Sequence, residues 1–481
     1  MGSNEATAAI NALNGNETDG RHSVSIAVIA NLPGDSGPFT FSLVWMTIVG
    51  RVAFVLNHDP PGETLETHAE SGLDEQEILQ HVRRWRQTDN WTNWYYLARE
   101  YLFLMLVIGG PVLLFESFWE SAHSLLWAIP VTFVSILCVG AEQHRLATLG
   151  HEAAHYMLFK NRLLNELASE WFCMFPILAT THRYRLQHFG HHQHTNDSEL
   201  DPDVTQLRLS GHRFAFPLTL RQFLWQCFFA QLLWLPNLLR YVLVRATFHF
   251  DRGSRSLRMK RRTSICLIII GAAYYLALTS ALVYGVWTGA AAVLFGIPGV
   301  LLTVMLMILA RTPSRWFPDY SLKCDLPERW RSLLHFTFNT IVLCGLAWLT
   351  QYTGKPWWLY YFLLWLVPAG TSFAFFMMLG QVAQHGNAGH DRLTNTRVFL
   401  VHPVIRFAVF PIGNDYHVPH HLFMNVPHYN LPKLHAWLMQ IHEYRRRVTI
   451  VTGYFFHDSQ PPLHPTVVDL VTAADTEPSL S

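Results

Sequence analysis

Residues 265–287 read ICLIIIGAAYYLALTSALVYGVW, a run without one charged side chain. At about 1.5 Å of rise per residue, a helix of this length crosses the roughly 30 Å hydrocarbon core of a bilayer. Comparable apolar runs occupy residues 122–140, 290–310, 341–352 with its flanks, and 357–379. Residues 95–115 form a weaker sixth run, because Arg99 and Glu100 stand near its start. Half of the 481 residues are hydrophobic and only 14% are charged, against about 25% charged in an average soluble chain. Buried helices of a large soluble core would need more length and charge between the runs than this chain has. The pattern predicts an all-α integral membrane protein of about six transmembrane helices in three hairpins, 95–140, 265–310 and 334–379, with cytosolic and interfacial helices beside them.

Charge placement orients the chain. A net charge of +1 gives no electrostatic case for a nucleic-acid partner. Arg240, Arg245, Arg252, Arg255, Arg258, Lys260, Arg261 and Arg262 crowd the link between the first and second hairpins, while Glu116 and Glu120 follow the first span. The positive-inside bias makes the basic link cytosolic, and six spans then put both termini on that side. Arg83, Arg84 and Arg86 before the first span, and Arg445, Arg446 and Arg447 after the last, agree. The host membrane would be an inner membrane or the endoplasmic reticulum.

Residues 1–38, rich in Ala, Asn, Gly and Ser, are expected to be disordered. Residues 39–94 read as a cytosolic or interfacial region, in which 39–56 is apolar but interrupted by Arg51. Residues 216–248 are amphipathic and suit a helix lying on the membrane surface. Residues 95–460 form the expected catalytic domain, and 461–481 a flexible tail. The six cysteines are scattered without a C-x-x-C pair, so they read as small core residues. The N-terminus shows neither a secretory h-region nor a myristoylation pattern, since Ala6 stands where Ser or Thr is wanted.

The chemistry lies in the 27 histidines. GHEAAHYMLF (150–159) contains His151-Glu152-Ala153-Ala154-His155, which matches the H-E-x-x-H helix of a zinc protease. Two further clusters change that reading: His188, His191 and His192, then far downstream His417, His420 and His421. Roughly 0.1 chance match to H-x-x-H-H is expected in such a chain, and two are present. On a helix, positions i, i+3 and i+4 share a face, while the adjacent pair splays around it, so that one cluster can serve two metals. Eight imidazoles exceed what one ion can take, so two transition metals are the economical reading. A zinc protease needs only one further ligand and leaves both H-x-x-H-H clusters unexplained. A zinc transporter would place its ionisable groups at mid-bilayer, whereas these clusters flank the spans. His144, His182, His194, His390, His402 and His428 read as solvated or capped residues.

The three boxes H-x3-H, H-x-x-H-H and H-x-x-H-H, in that order among membrane hairpins, resemble the membrane fatty acid desaturase and hydroxylase superfamily. Their contexts do too: YRLQHFGHHQHTNDSELDPD (184–203) is similar to the family's second box and NDYHVPHHLFMNVPHYNLPKLH (414–435) to its third. The resemblance covers residues 95–440 and implies a histidine-ligated non-haem diiron centre using O2 as co-substrate. It also implies a ninth ligand from the last span, which falls on His385, and a weaker amide candidate, Gln381, where the family commonly has Asn. Four spans are usual, so 265–310 looks like an extra hairpin. Glu152, Asp201 and Asp415, with Asp197 and Asp203, are the carboxylates placed to orient the imidazoles. No catalytic residue beyond the ligands is assigned. The implied reaction is desaturation of a fatty acyl chain, with hydroxylation next, and ketolation or alkene-forming decarboxylation on a fatty acid, alkane or carotenoid behind it. The sequence has no fused cytochrome b5, iron-sulfur or flavin segment, so electrons must come from a ferredoxin, a rubredoxin, or cytochrome b5 with its reductase. The basic loop 252–262 reads first as an orientation signal alone and second as a docking face for an acidic carrier.

Overall fold

The computed structural model describes residues 75–118, 124–247 and 259–473. Residues 1–38, the apolar stretch 39–56, most of the basic loop 252–262 and the end of the expected tail lie outside that range.

The chain is an all-α, multi-pass membrane protein. Among the described residues, six helices are long and apolar enough to cross a bilayer: Thr92–Glu116, Leu126–Ala154, Ile265–Thr288, Ala292–Arg311, Glu328–Thr353 and Trp357–His385. Their outer faces carry large apolar side chains open to the surroundings, Leu276 at 70% and Trp287 at 81% exposure among them, which only lipid can cover. Among the described residues, strand is confined to two short pairs, Met259–Arg261 with Asp319–Tyr320 and Val398–Phe399 with Ile450–Val451. The charges that weaken the first span are paired: Glu100 accepts from Arg145 Nε and Nη2 at 2.7 and 2.8 Å.

Two spans are longer than the membrane requires. Leu126–Ala154 and Trp357–His385 each hold 29 residues, about 43 Å of helix against a core of roughly 30 Å. Their last turns carry His151 and His385. Each of these ends is closed by a buried arginine. Arg185 donates to the carbonyls of Ala154 and Ala153 at 2.8 and 2.9 Å, and also pairs with the buried Glu166. Arg397 donates to the carbonyls of Ala383, Gly386 and Asn387. Helix C-terminal carbonyls have no partner of their own and lie at the negative end of the dipole, so a guanidinium satisfies both demands.

The hairpin Ile265–Thr288 and Ala292–Arg311 packs on the fifth span through Leu278, Leu282, Met305 and Leu309, with Tyr274 hydroxyl against Thr340 and Asn339 donating to Tyr275 at 2.8 Å. It contributes no histidine to the clusters described below.

Two sequence expectations need correction. The tract after residue 216 is not one surface helix: Leu220–Leu233 and Pro236–Arg245 meet at 94°, because Pro236 cannot supply the amide that would continue the first helix. In place of a flexible tail from 461, Val467–Thr472 forms a helix capped by Thr466, with Val467 and Val471 fully buried and Leu218 N–H bonded to Val471 O at 2.9 Å.

Candidate metal centre

Four pieces of chain meet at the ends of the second and last spans. The second span delivers His151 on its last turns and His155 just after it. Helix Thr181–Gln193 carries box two, and the six-residue helix His417–Leu422 carries box three. The last span ends at His385. All nine histidines come together in two groups: His151, His155, His188, His192 and His420, and His191, His385, His417 and His421, with one ring nitrogen of each within 4.8 Å of the others in its group. Each H-x-x-H-H box divides between the groups, as the splay of adjacent positions requires. His188 and His192 turn one way and His191 the other, while His417 and His421 oppose His420.

The ring nitrogens fit metal ions better than hydrogen bonds. His151 Nε2 lies 3.1 Å from His420 Nε2, and His188 Nε2 lies 2.9 Å from His192 Nε2. In the second group His417 Nε2 lies 3.1 Å from His385 Nε2 and 3.2 Å from His421 Nε2. Two imidazole nitrogens on one ion at about 2.1 Å and a right angle stand about 3.0 Å apart. Several of these atoms carry lone pairs by necessity. His385 Nδ1 donates to Asn395 O at 3.2 Å, and His191 Nδ1 donates to Asp201 at 2.9 Å, which leaves each Nε2 as an acceptor when the ring is neutral. Both nitrogens of buried His155 have no hydrogen-bond partner. Buried acceptors facing one another are unfavourable without a cation between them. Burial, reinforced by neighbouring imidazoles, holds His155, His188, His192, His417, His420 and His421 well below the usual histidine range, and the neutral ring is the form that binds metal. His191 differs: burial pulls it down, but the Asp201 carboxylate outweighs that and raises it to about 9.

The carboxylates separate by role. Asp201 is 1% exposed; besides His191 it accepts from the amides of Asn196 and Asp203 at 2.9 and 2.8 Å. Glu152 lies 3.4 Å from His151 Nδ1 and accepts from the His428 amide at 2.8 Å. Asp415 is not turned to a box histidine; it pairs with Arg406 at 2.6 Å, and burial pushes its carboxyl up to about 6 against the pull of that arginine. Asp197 caps a turn through the amides of Glu199 and Leu200. Gln381 accepts from Tyr241 hydroxyl at 3.1 Å. Of the remaining histidines, His402 caps Pro403–Ala408. His144, His182 and His428 are buried instead of solvated: His144 Nδ1 donates to Ala408 O at 2.8 Å and His428 Nε2 to Asn93 Oδ1 at 2.9 Å.

A cavity of about 310 Å³ opens against His151, His188, His191, His385 and His417, within the range of small-molecule sites. Ala147, Met174, Ile177, Leu178, Phe373 and Met377 give it apolar walls. Arg183, Tyr184 and Gln187 add a polar stripe, and the sequence holds a signal for it: Tyr184 precedes His188 by four residues, and Arg183, Gln187 and His191 follow one another at intervals of four on the same helix. Arg245, Asp203 and His335 also line the cavity, from elements whose approach no local pattern foretells.

A profile of the family described as fatty acid desaturase matches residues 125–316 and 300–452, more than half of the chain. Dihydrorhizobitoxine desaturase of Bradyrhizobium elkanii is 34% identical over 86 residues, 18% of this chain and 24% of that protein. The sn-1 oleoyl-lipid 12-desaturase of Anabaena variabilis is 28% identical over 115 residues, 22% and 32% of the two chains. Delta(5) fatty acid desaturase fat-4 of Caenorhabditis elegans is 31% identical over 104 residues, 21% and 23%. The chain thus aligns with at most 32% of the length of these relatives. With the profile spanning all three histidine boxes, the chain belongs to the fatty acid desaturase family.

Proposed function

We propose that the chain carries out O2-dependent desaturation of a fatty acyl chain, with two irons held by His151, His155, His188, His192 and His420, and by His191, His385, His417 and His421. The observation that carries this reading is the pair of buried histidine groups at one end of an apolar-walled cavity. Family membership implies iron, and two of the three relatives are named for desaturating fatty acyl chains. When bound, the irons would supply the dioxygen-activating redox chemistry that an unactivated C–H bond demands.

The protein's own groups do the rest. Asp201 holds the His191 Nδ1 proton and so directs Nε2 into its group, and Asn395 O does the same for His385. Arg185 and Arg397 fix the ends of the two spans from which the first and last ligands hang. Met174, Ile177, Phe373 and Met377 exclude water and lay an extended chain along the helix of box two. The catalytic domain is residues 95–460, with 265–310 as an added hairpin that leaves the boxes on one side. The basic links favour that side, and both termini, as cytosolic.

Lipid mass spectrometry of cells expressing the chain, beside a His191→Ala control, tests the reading. A species lighter by two hydrogens and absent from the control is expected. A species heavier by one oxygen would assign hydroxylation instead.

A further inference from the structure

The helix Glu75–Trp85 lies on the segment that follows box three. His81 stacks on Trp437 with ring centres 5.0 Å apart, and Trp85 meets the same indole at 5.6 Å. Ile78, Val82, Leu434, Leu438 and Tyr444 join one apolar cluster, with Tyr416 packed against it. Three helices, Glu75–Trp85, Leu431–Leu438 and His442–Arg447, thus share this cluster. Their outward residues include Arg83, Arg84, Lys433 and Arg445, all exposed, and no carboxylate among the described residues pairs with these four, whereas Arg446 and Arg447 are matched by Glu443. The cations crowd one another: burial, with Arg83 nearby, brings Arg86 down to about 10.

Two features say what this face meets. It exposes no large apolar side chain among the described residues, unlike the tract carrying Trp225, Leu232 and Trp234, so it lacks the anchors of a membrane-lying surface. It is also linked to the histidine groups by a short relay of contacts. Tyr444 hydroxyl bonds His435 Nδ1 at 2.8 Å, the His435 ring lies 5.5 Å from Tyr416, and Tyr416 is peptide-bonded to His417.

We propose that this face is the docking surface of an acidic one-electron carrier protein, a conclusion that rests on the desaturase reading above. Reducing O2 to two waters takes four electrons and four protons. The acyl chain gives up two of each as its double bond forms. The other two protons come from solvent, and the other two electrons from two successive reduced carriers, each released oxidised. Such encounters are small and short-lived, and opposite potentials set their on-rate, which falls as salt rises.

The test uses the full chain in zwitterionic nanodiscs, with binding measured to two acidic probes, a [2Fe–2S] ferredoxin and the soluble domain of a cytochrome b5. At about 50 mM salt, at least one probe is expected to bind with a Kd that weakens as salt is added. The combined Arg83→Glu, Arg84→Glu, Lys433→Glu and Arg445→Glu variant should weaken that Kd at least tenfold, with melting temperature and iron content unchanged. Lys260→Glu, on the other basic segment, should leave it unaltered. Single-turnover product formation driven by dithionite should match wild type. Wild-type affinity in the variant, failure of both probes to bind the wild type, or loss of binding in Lys260→Glu would overturn the proposal. So would a loss confined to anionic vesicles, which would assign the patch to lipid headgroups. If dithionite yields no product even in wild type, the desaturase reading fails, while the Kd comparison still judges the docking face.

Discussion

Replacing Asp201 separates two jobs that one carboxylate performs. It accepts from His191 Nδ1 at 2.9 Å, and it caps helix Pro202–Leu209 through the Asp203 amide at 2.8 Å. Asp201→Asn keeps an oxygen for the cap but removes the charge that fixes the imidazole. Loss of such a partner behind a metal ligand lowers metal affinity about 10- to 100-fold. The cap is worth about 1 kcal/mol, so Asp201→Asn should melt near the wild type and Asp201→Ala should fall further by about that amount. Iron retention against a graded chelator series, read by mass spectrometry of the metal, gives the affinity, and thermal melting in detergent gives the stability. Asp201→Asn should release iron at 10- to 100-fold lower chelator concentration. Wild-type iron retention in Asp201→Asn would refute the claim that Asp201 orients a ligand.

Arg185→Ala should cost about 3–5 kcal/mol, because it strips two carbonyls and leaves buried Glu166 without this partner; a melting curve within 1 °C of wild type would contradict it. Ala147→Phe, on the cavity wall, should abolish turnover of long acyl chains while iron content stays unchanged, as product analysis beside metal analysis would read. Acid should destabilise the fold. Burial depresses His428 to about 4, so its contribution of about 3 kcal/mol is present above the unfolded value of 6.5 and is lost as pH falls from there toward 4. The melting temperature should drop across that window, and a flat profile would count against a buried neutral His428.

The spans were legible because hydropathy is a local property, and 265–287 needs no partner to declare itself. That each box turns its rings one way, with the adjacent pair splayed, was legible because helical spacing fixes which rings share a face; the division of His191 from His188 and His192 comes from the structure. What escaped the sequence is non-local. Arg185 reaches a carbonyl 31 residues away in sequence, and nothing near it marks it as a helix cap. Asp415 sits two residues before His417 yet pairs with Arg406, because the helix Pro403–Ala408 brings that guanidinium alongside. The 94° bend at Trp234 and Leu235 was obscured by an apolar composition that suits a surface helix equally well.

Metal analysis of the purified full chain tests the central claim most directly. Two irons per chain are expected in the wild type, with the His191→Ala and His420→Ala variants each losing iron, because they remove donors from different groups. One zinc per chain, or an iron content indifferent to both substitutions, would contradict the account.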